Sequence, residues 1–273
     1  MINVVDRVPT YPNRIKVTKS DGTSEYVTWE RADEPTVPGT PINKALFDSI
    51  VEDIGLNANK TVYVSTAGSD ALGDGTAANP YATITKALNS IPRNLNGYDA
   101  LISIAAGVYD EDVNITRFSG GNVVLTGATG NSVAIRSLLV SFGVMCQVTN
   151  VDLSVTGSFS DVGIGVTNAS LACASTVRII GSLLNGVYMN TNAVCNFATL
   201  EVSNTTTNAI FATHNSIAFI EALQGENNSG IGIRCARGAK VAYSVSSLGA
   251  ATAHFVINGG RIYSGAQTSI PNY

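Results

Sequence analysis

The sequence predicts an all-β fold, a parallel β-helix preceded by a small hairpin and helix, and three observations lead there. Composition is the first: 13% of the residues are charged and 7% aromatic, whereas 26 are Gly and Val, Ile, Thr, Ser and Asn abound. That mixture suits short strands joined by tight turns. The second is recurrence: "VGIGVTNASLACASTVRIIGS", "NGVYMNTNAVCNFATLEVSN", "NAIFATHNSIAFIEALQGEN" and "SGIGIRCARGAKVAYSVSS" align on Gly163, Gly186, Ala209 and Gly230, spaced 23, 23 and 21 residues apart. The third is that each segment holds three short strand-like stretches separated by turns, the content of one solenoid coil. With 273 residues and 45% apolar content the chain can bury a sizeable core and carry one appendage.

Residues 1–60 are the appendage. "RIKVTKSDGTSEYVTWE" alternates apolar and polar residues on either side of Ser20-Asp21-Gly22-Thr23, the pattern of a β-hairpin whose glycine supplies positive φ. Pro35, Pro38 and Pro41 then hold the chain extended until Thr40 caps a helix. Ile42, Leu46, Ile50 and Ile54 recur along that helix, and Gly55 ends it. A hairpin and one helix cannot enclose a core of their own, so this segment is expected to dock on another surface.

Residues 61–99 lead into the solenoid. "YVSTAGSDALGDGTAANPYATITKAL" sets Gly68, Gly73 and Gly75, with Asp70 and Asp74, between a short strand and an apolar stretch of helical spacing. Asp70 and Asp74 are the candidate metal ligands, although calcium wants about six to eight oxygens and the loop supplies two carboxylates. The other reading is a turn, with each Asp bonding its own backbone and Asn79-Pro80 stopping the strand before a capping helix of Ile84, Ala87, Leu88 and Ile91. No Gly-Lys-Ser/Thr follows to make a phosphate loop, and no cofactor is expected. The acidic "YDEDVN" is split by strand alternation, Asp110 and Asp112 to one side and Glu111 to the other.

Residues 100–273 are expected to form the β-helix with its C-terminal cap, and from about residue 100 to 262 there is room for roughly seven coils, a rod about 35 Å long at strand spacing. The leading coils show strands without a strict period. A β-sandwich is the alternative, but it lacks recurrence at a fixed length. The coils are centred on Leu171, Val194, Ile217 and Ala239, and "TVRII", "TLEV" and "FIEAL" stack Arg178, Glu201 and Glu221 in one outward column. His214 falls in a turn. In the tail, Phe255, Ile257, Ile262 and Tyr263 are expected to cap the core.

The net charge is -4, with 15 acidic and 9 basic side chains in residues 1–112 but 5 and 7 thereafter. No basic stripe suggests nucleic acid, no apolar run is long enough to insert in a membrane, and the first ten residues lack a signal-peptide pattern. Cys146, Cys173, Cys195 and Cys235 never form C-x-x-C pairs and read as buried thiols.

The stretch from Tyr63 to Leu88, followed by "GVYDEDVNI", resembles the start of right-handed parallel β-helices of the pectate-lyase-like superfamily. The resemblance covers about residues 61–262 and implies fold more than activity, because that superfamily holds polysaccharide lyases, hydrolases, esterases and non-catalytic phage fibres. "RVPTYPNRIKVT" with "RADEPTVPGTPINKALFDSI" is similar to the leader of structural proteins of phages and prophages of Gram-positive gut bacteria. Together they imply a tail fibre or spike of a phage or phage-like particle, made in the host cytoplasm and located in the virion. Residues 1–60 would bind other virion proteins, the chain would assemble as a homotrimer, and its ligand would be host cell-surface polysaccharide. A polysaccharide-degrading tailspike and a capsid or neck decoration protein without a host ligand are the alternatives.

Glu201 and Glu221 are the candidate catalytic residues. Stacked on adjacent coils they would lie about 5 Å apart, a spacing a retaining glycosidase can use. Arg178 beneath Glu201 makes the same column an exposed salt-bridge ladder. The superfamily's lyases imply clustered Asp with calcium and its esterases imply paired Asp. Here Asp152, Asp161, Glu201, Glu221 and Glu226 are scattered, and Arg234, Arg237 and Lys240 have no acids nearby. His214 and His254 lack a nucleophile motif, and the single Trp29 lies in the N-terminal segment. Binding without cleavage is the expectation.

Overall fold

A computed structural model describes residues 14–18, 22–28, 55–128, 130, 133–143, 145–154, 162–244, 246–264 and 268–269. The chain divides into two units, Met1–Ile54 and Gly55–Tyr273. In the first, β1 (Arg14–Thr18) and β2 (Ser24–Thr28) pair antiparallel with Arg14 opposite Thr28. Gly22 has φ +85°, as the Asp-Gly turn requires. The helix expected after Pro41 lies outside the described residues.

The second unit is a right-handed parallel β-helix of about six turns. Its first elements are β3 (Lys60–Val64), α1 (Ile84–Asn89), β4 (Asp99–Ile104), β5 (Gly107–Thr116), β6 (Asn122–Gly127), β7 (Val133–Ser141), β8 (Met145–Thr149), β9 (Asp152–Ser154) and β10 (Val162–Thr167). There follow β11 (Ser170–Asn190), β12 (Val194–Ala212), β13 (Ile217–Gln224), β14 (Asn228–Ala236), β15 (Lys240–Tyr243), β16 (Ser246–Ser247), β17 (Ala250–Ile257), β18 (Arg261–Ser264) and β19 (Thr268–Ser269). Among the described residues no helix is long and apolar enough to cross a membrane.

The strands stack on three faces. The first runs β3, β4, β6, β8, the starts of β11, β12 and β13, then β15 and β18. The second takes the starts of β5 and β7, β9, the middles of β11 and β12, the end of β13, and β16. The third takes the ends of β5 and β7, β10, the ends of β11 and β12, then β14 and β17. Like side chains therefore stack on like about 4.8 Å apart. Ile102, Leu125, Val148, Cys173, Phe197 and Ile220 form one such column, all buried, and each large aliphatic member contributes about 1.5–3 kcal/mol by leaving water. Helix α1 closes the leading end by burying Ile84, Ala87 and Leu88, with Ile91 just beyond it.

The corner between the third and first faces explains the abundance of Asn and Gly. Asn168, Asn192, Asn215, Gly238 and Gly259 occupy it with φ of +49°, +56°, +62°, +78° and +76°, a region those residues tolerate best. The ladder continues through the corner: Asn192 N–H donates to His214 C=O (2.9 Å) and Asn215 N–H to Arg237 C=O (3.0 Å). His214, φ +51°, is a turn residue as expected.

The structure corrects the expected alignment of the fourth coil and the expected cap. Ile164, Val187, Ile210 and Ile233 are register partners, so the fourth coil aligns on Gly232 rather than Gly230 and the period stays at 23. The repeated Gly-Ile of "GIGI" offers two equivalent anchors, and only hydrogen-bond register separates them. In the tail, β17 and β18 continue the stack with Val256 and Ile262 inward, but alternation turns Phe255 outward. Ile257 and Tyr263 are only half-buried. The expected cap of Phe255, Ile257, Ile262 and Tyr263 does not form as a group.

Candidate functional site

The loop between β3 and α1 spends its carboxylates on backbone. Asp70 Oδ1 accepts from the N–H groups of Ala82 (2.8 Å) and Thr83 (3.1 Å), and Oδ2 accepts from the Thr83 hydroxyl (2.6 Å). Glu111 reaches back from β5 to accept from the N–H groups of Ile84 (2.7 Å) and Thr85 (2.9 Å) and from the Thr85 hydroxyl. Thr83 Oγ1 accepts from Lys86 N–H (3.1 Å). The amides at the start of α1, which have no partner within the helix, are thus satisfied. Burial works to raise the Asp70 carboxyl, but the hydrogen bonds from Thr83 and Ala82 outweigh it and hold the group below the usual range.

Asp74 Oδ1 accepts from Thr76 N–H (2.9 Å) and its hydroxyl (2.7 Å), a local turn of the expected kind. Asp70 does not bond its own backbone as expected; it bonds residues twelve and thirteen positions on. The two carboxylates serve separate turns, and among the described residues no three His, Cys, Asp or Glu side chains gather to hold a metal. An open cleft of about 380 Å³ beside this loop is lined by Tyr63, Pro80, Ser103, Ala105 and Gly127 among others, with no carboxylate, histidine or cationic side chain among the described lining residues.

The split of "YDEDVN" is as expected. Asp112 takes a bidentate pair from Arg136 Nε (3.1 Å) and Nη2 (2.9 Å) and a bond from the Ser137 hydroxyl, while Asp110 takes Arg136 Nη1 (3.1 Å). The Arg136 hydrogen bonds hold Asp112 below the usual carboxylate range.

Arg178 and Glu201 are register partners, with Nε 2.9 Å from Oε2. Glu201 is followed in the column by Gln224, whose Nε2 donates to Oε1 (3.0 Å). Glu221 is therefore not stacked on Glu201. Ile220 pairs with Phe197 on the first face and Ala222 with Thr199 on the second, which leaves Glu221 exposed at the corner between them. The apolar–Glu–apolar triplet of "IEA" imitates that of "LEV" but lies three residues out of phase with it. The carboxylate pair that a glycosidase needs does not form from these two residues.

The third face brings together residues that the sequence keeps apart. Tyr188, Phe211, Arg234 and Phe255 are successive register partners on the outward side of β11, β12, β14 and β17. The rings of Tyr188 and Phe211 lie 5.4 Å apart at 52°. The Arg234 guanidinium carbon sits 4.7 Å from the centroid of Phe211 and 5.7 Å from that of Phe255. Leu139 and Gly165 precede them in the column. Phe255 is 38% exposed and Leu139 41%, so the column ends in accessible apolar surface. Adjacent tilted rings with a guanidinium held beside them offer apolar contact for a sugar face and a fork of donors for its oxygens.

Residues 21 to 23 apart show no aromatic cluster in sequence. The signal was present two positions after each anchor, Gly186 to Tyr188, Ala209 to Phe211 and Gly232 to Arg234, but the Gly230 alignment hid its last member. No family model, no curated protein and no solved structure matches the chain.

Proposed function

We propose that the chain is a structural component of a phage or phage-derived particle: a β-helical tail fibre or spike, attached by residues 1–60, that contacts host surface glycan through the third face. The observation that carries this reading is the outward column Tyr188–Phe211–Arg234–Phe255, an aromatic surface running along the solenoid axis. A linear polysaccharide is a repeating partner for a repeating surface. The reading takes the protein as a binder rather than a hydrolase or lyase: Glu201 is engaged by Arg178 and Gln224, and Glu221 lies apart from it, exposed at a corner. Assembly as a homotrimer belongs to the same proposal. Phe219, 54% exposed on the first face, gives lateral packing an apolar contact.

The test is co-sedimentation of the purified chain with host cell walls, paired with an assay for reducing or unsaturated ends. Binding without product is expected, and Phe211→Ser is expected to weaken it at least about tenfold. Product release would instead favour the depolymerase, and unchanged binding by Phe211→Ser would refute the assigned face.

A further inference from the structure

We infer that the glycan bound by the third face is anionic, its negative groups held by Arg234 and by the cationic side chains of the last coils; this rests on the glycan-binding reading above. The chain as a whole carries a net charge of -4, yet residues 227–273 contain Arg234, Arg237, Lys240 and Arg261 and no Asp or Glu. Charge has been segregated toward one end of the rod. Long-range attraction of a polyanion follows from such an arrangement.

Arg234 is the member built for direct contact. Arg136 and Arg178, earlier along the solenoid, each meet carboxylates, whereas among the described residues Arg234 meets none. Its Nε is buried and has no hydrogen-bond partner among the described residues. Phe211 and Phe255 clamp the guanidinium by cation–π contact. The group is held in place before any ligand arrives, which reduces the ordering cost of binding. A planar fork in that setting matches an oxyanion, and the rings beside it match the attached sugar or polyol.

The other three cations extend the site around the corner. Arg237 lies in the turn that joins β14 to β15 and donates through Nη1 to His214 Nε2 (2.7 Å). Lys240 and Arg261 are exposed register partners on adjoining rungs. Like charges directly opposite in a sheet repel, and an anion lying across them relieves that repulsion. A neutral glycan supplies no counter-charge at any of these positions. Both a uronate carboxylate and a sugar or polyol phosphodiester supply it, as singly charged oxyanions repeated along a polymer.

The experiment titrates the full chain with polygalacturonate, poly(glycerol phosphate), neutral dextran and single-stranded DNA, at low and at physiological salt. At least one of the two anionic glycans is expected to bind about tenfold or more tighter than dextran, and to weaken as salt rises. Which of them binds better identifies the oxyanion. Arg234→Gln should lose about tenfold in affinity. Should that variant fold poorly, the paired Lys240→Gln and Arg261→Gln exchange alters only exposed side chains, and it should keep the thermal midpoint while losing affinity several-fold.

Dextran binding as tightly as both anionic glycans would overturn the anionic assignment and leave the glycan-binding reading intact. Tighter binding of DNA than of either anionic glycan would also overturn it. Binding of none of the three glycans would sink both readings.

Discussion

Replacement of Asn228 should be strongly destabilising for the few atoms removed. The residue is 2% exposed at the start of β14, and its Nδ2 donates to the carbonyls of Val202 (2.9 Å) and Leu248 (2.6 Å). Its Oδ1 accepts from the N–H (3.1 Å) and hydroxyl (2.7 Å) of Thr205. One side chain therefore ties the coils before and after its own. Asn228→Ala withdraws a partner from three backbone groups, and a buried group left unsatisfied costs about 1–3 kcal/mol. A loss of roughly 3–6 kcal/mol follows, because ladder bonds and entering water recover part of the upper limit.

For a unit of this size each kcal/mol moves the midpoint by about 2–4 °C, so a fall of roughly 6–24 °C is expected. Guanidinium unfolding followed by circular dichroism, with calorimetry, measures both quantities. Thr205→Val removes one hydroxyl of the same network, and its effect should not add to that of Asn228→Ala. A loss under about 1 kcal/mol, or additivity within about 0.5 kcal/mol, would refute the bridging role.

Other outcomes follow from contacts already described. Glu111→Gln removes the negative charge at the start of α1 and should cost about 1 kcal/mol, read as faster hydrogen exchange at Ile84 and Thr85. Asp70 and Asp112 have carboxyls held below the ordinary range in the folded chain, so they stabilise fully above about pH 4 and lose that effect as pH falls through their folded values. The thermal midpoint should drop on acidification below about pH 4, and the drop should be smaller in Arg136→Gln. Gly225→Ala would set a Cβ against the Val202 carbonyl at a backbone φ of +158°, and should cost at least about 2 kcal/mol in a denaturant titration. Glu221→Gln, at an exposed corner, should change stability by less than about 0.5 kcal/mol.

The fold was legible because a solenoid writes its period into the chain. Val187, Ile210 and Ile233 must face inward on successive coils, and the recurrence near 23 residues records that demand. Phase within the period was less legible. "GIGI" permits two anchors, and Glu221 mimics Glu201 because both sit between apolar residues, one at a corner and the other within the second face. Hydrogen-bond register decides these cases, and it is a property of neighbouring coils rather than of either segment. The bonds of Asp70 were hidden for a related reason: a side chain's local backbone is visible in sequence, whereas amides brought near by a folded loop are not. The aromatic column was hidden because its members become neighbours only once the coils are stacked.

The four cysteines gain a use from where they lie. Cys146, Cys173, Cys195 and Cys235 are buried and unbridged, and they occur at successive heights along the axis, on β8, β11, β12 and β14. Burial pushes every thiol up, that of Cys235 to about 12, so a reactive thiolate forms only after its own coil has opened. The order in which an alkylating reagent marks them is therefore a clock read against a ruler. It records whether the rod frays from its leading end, from its distal end, or opens all at once.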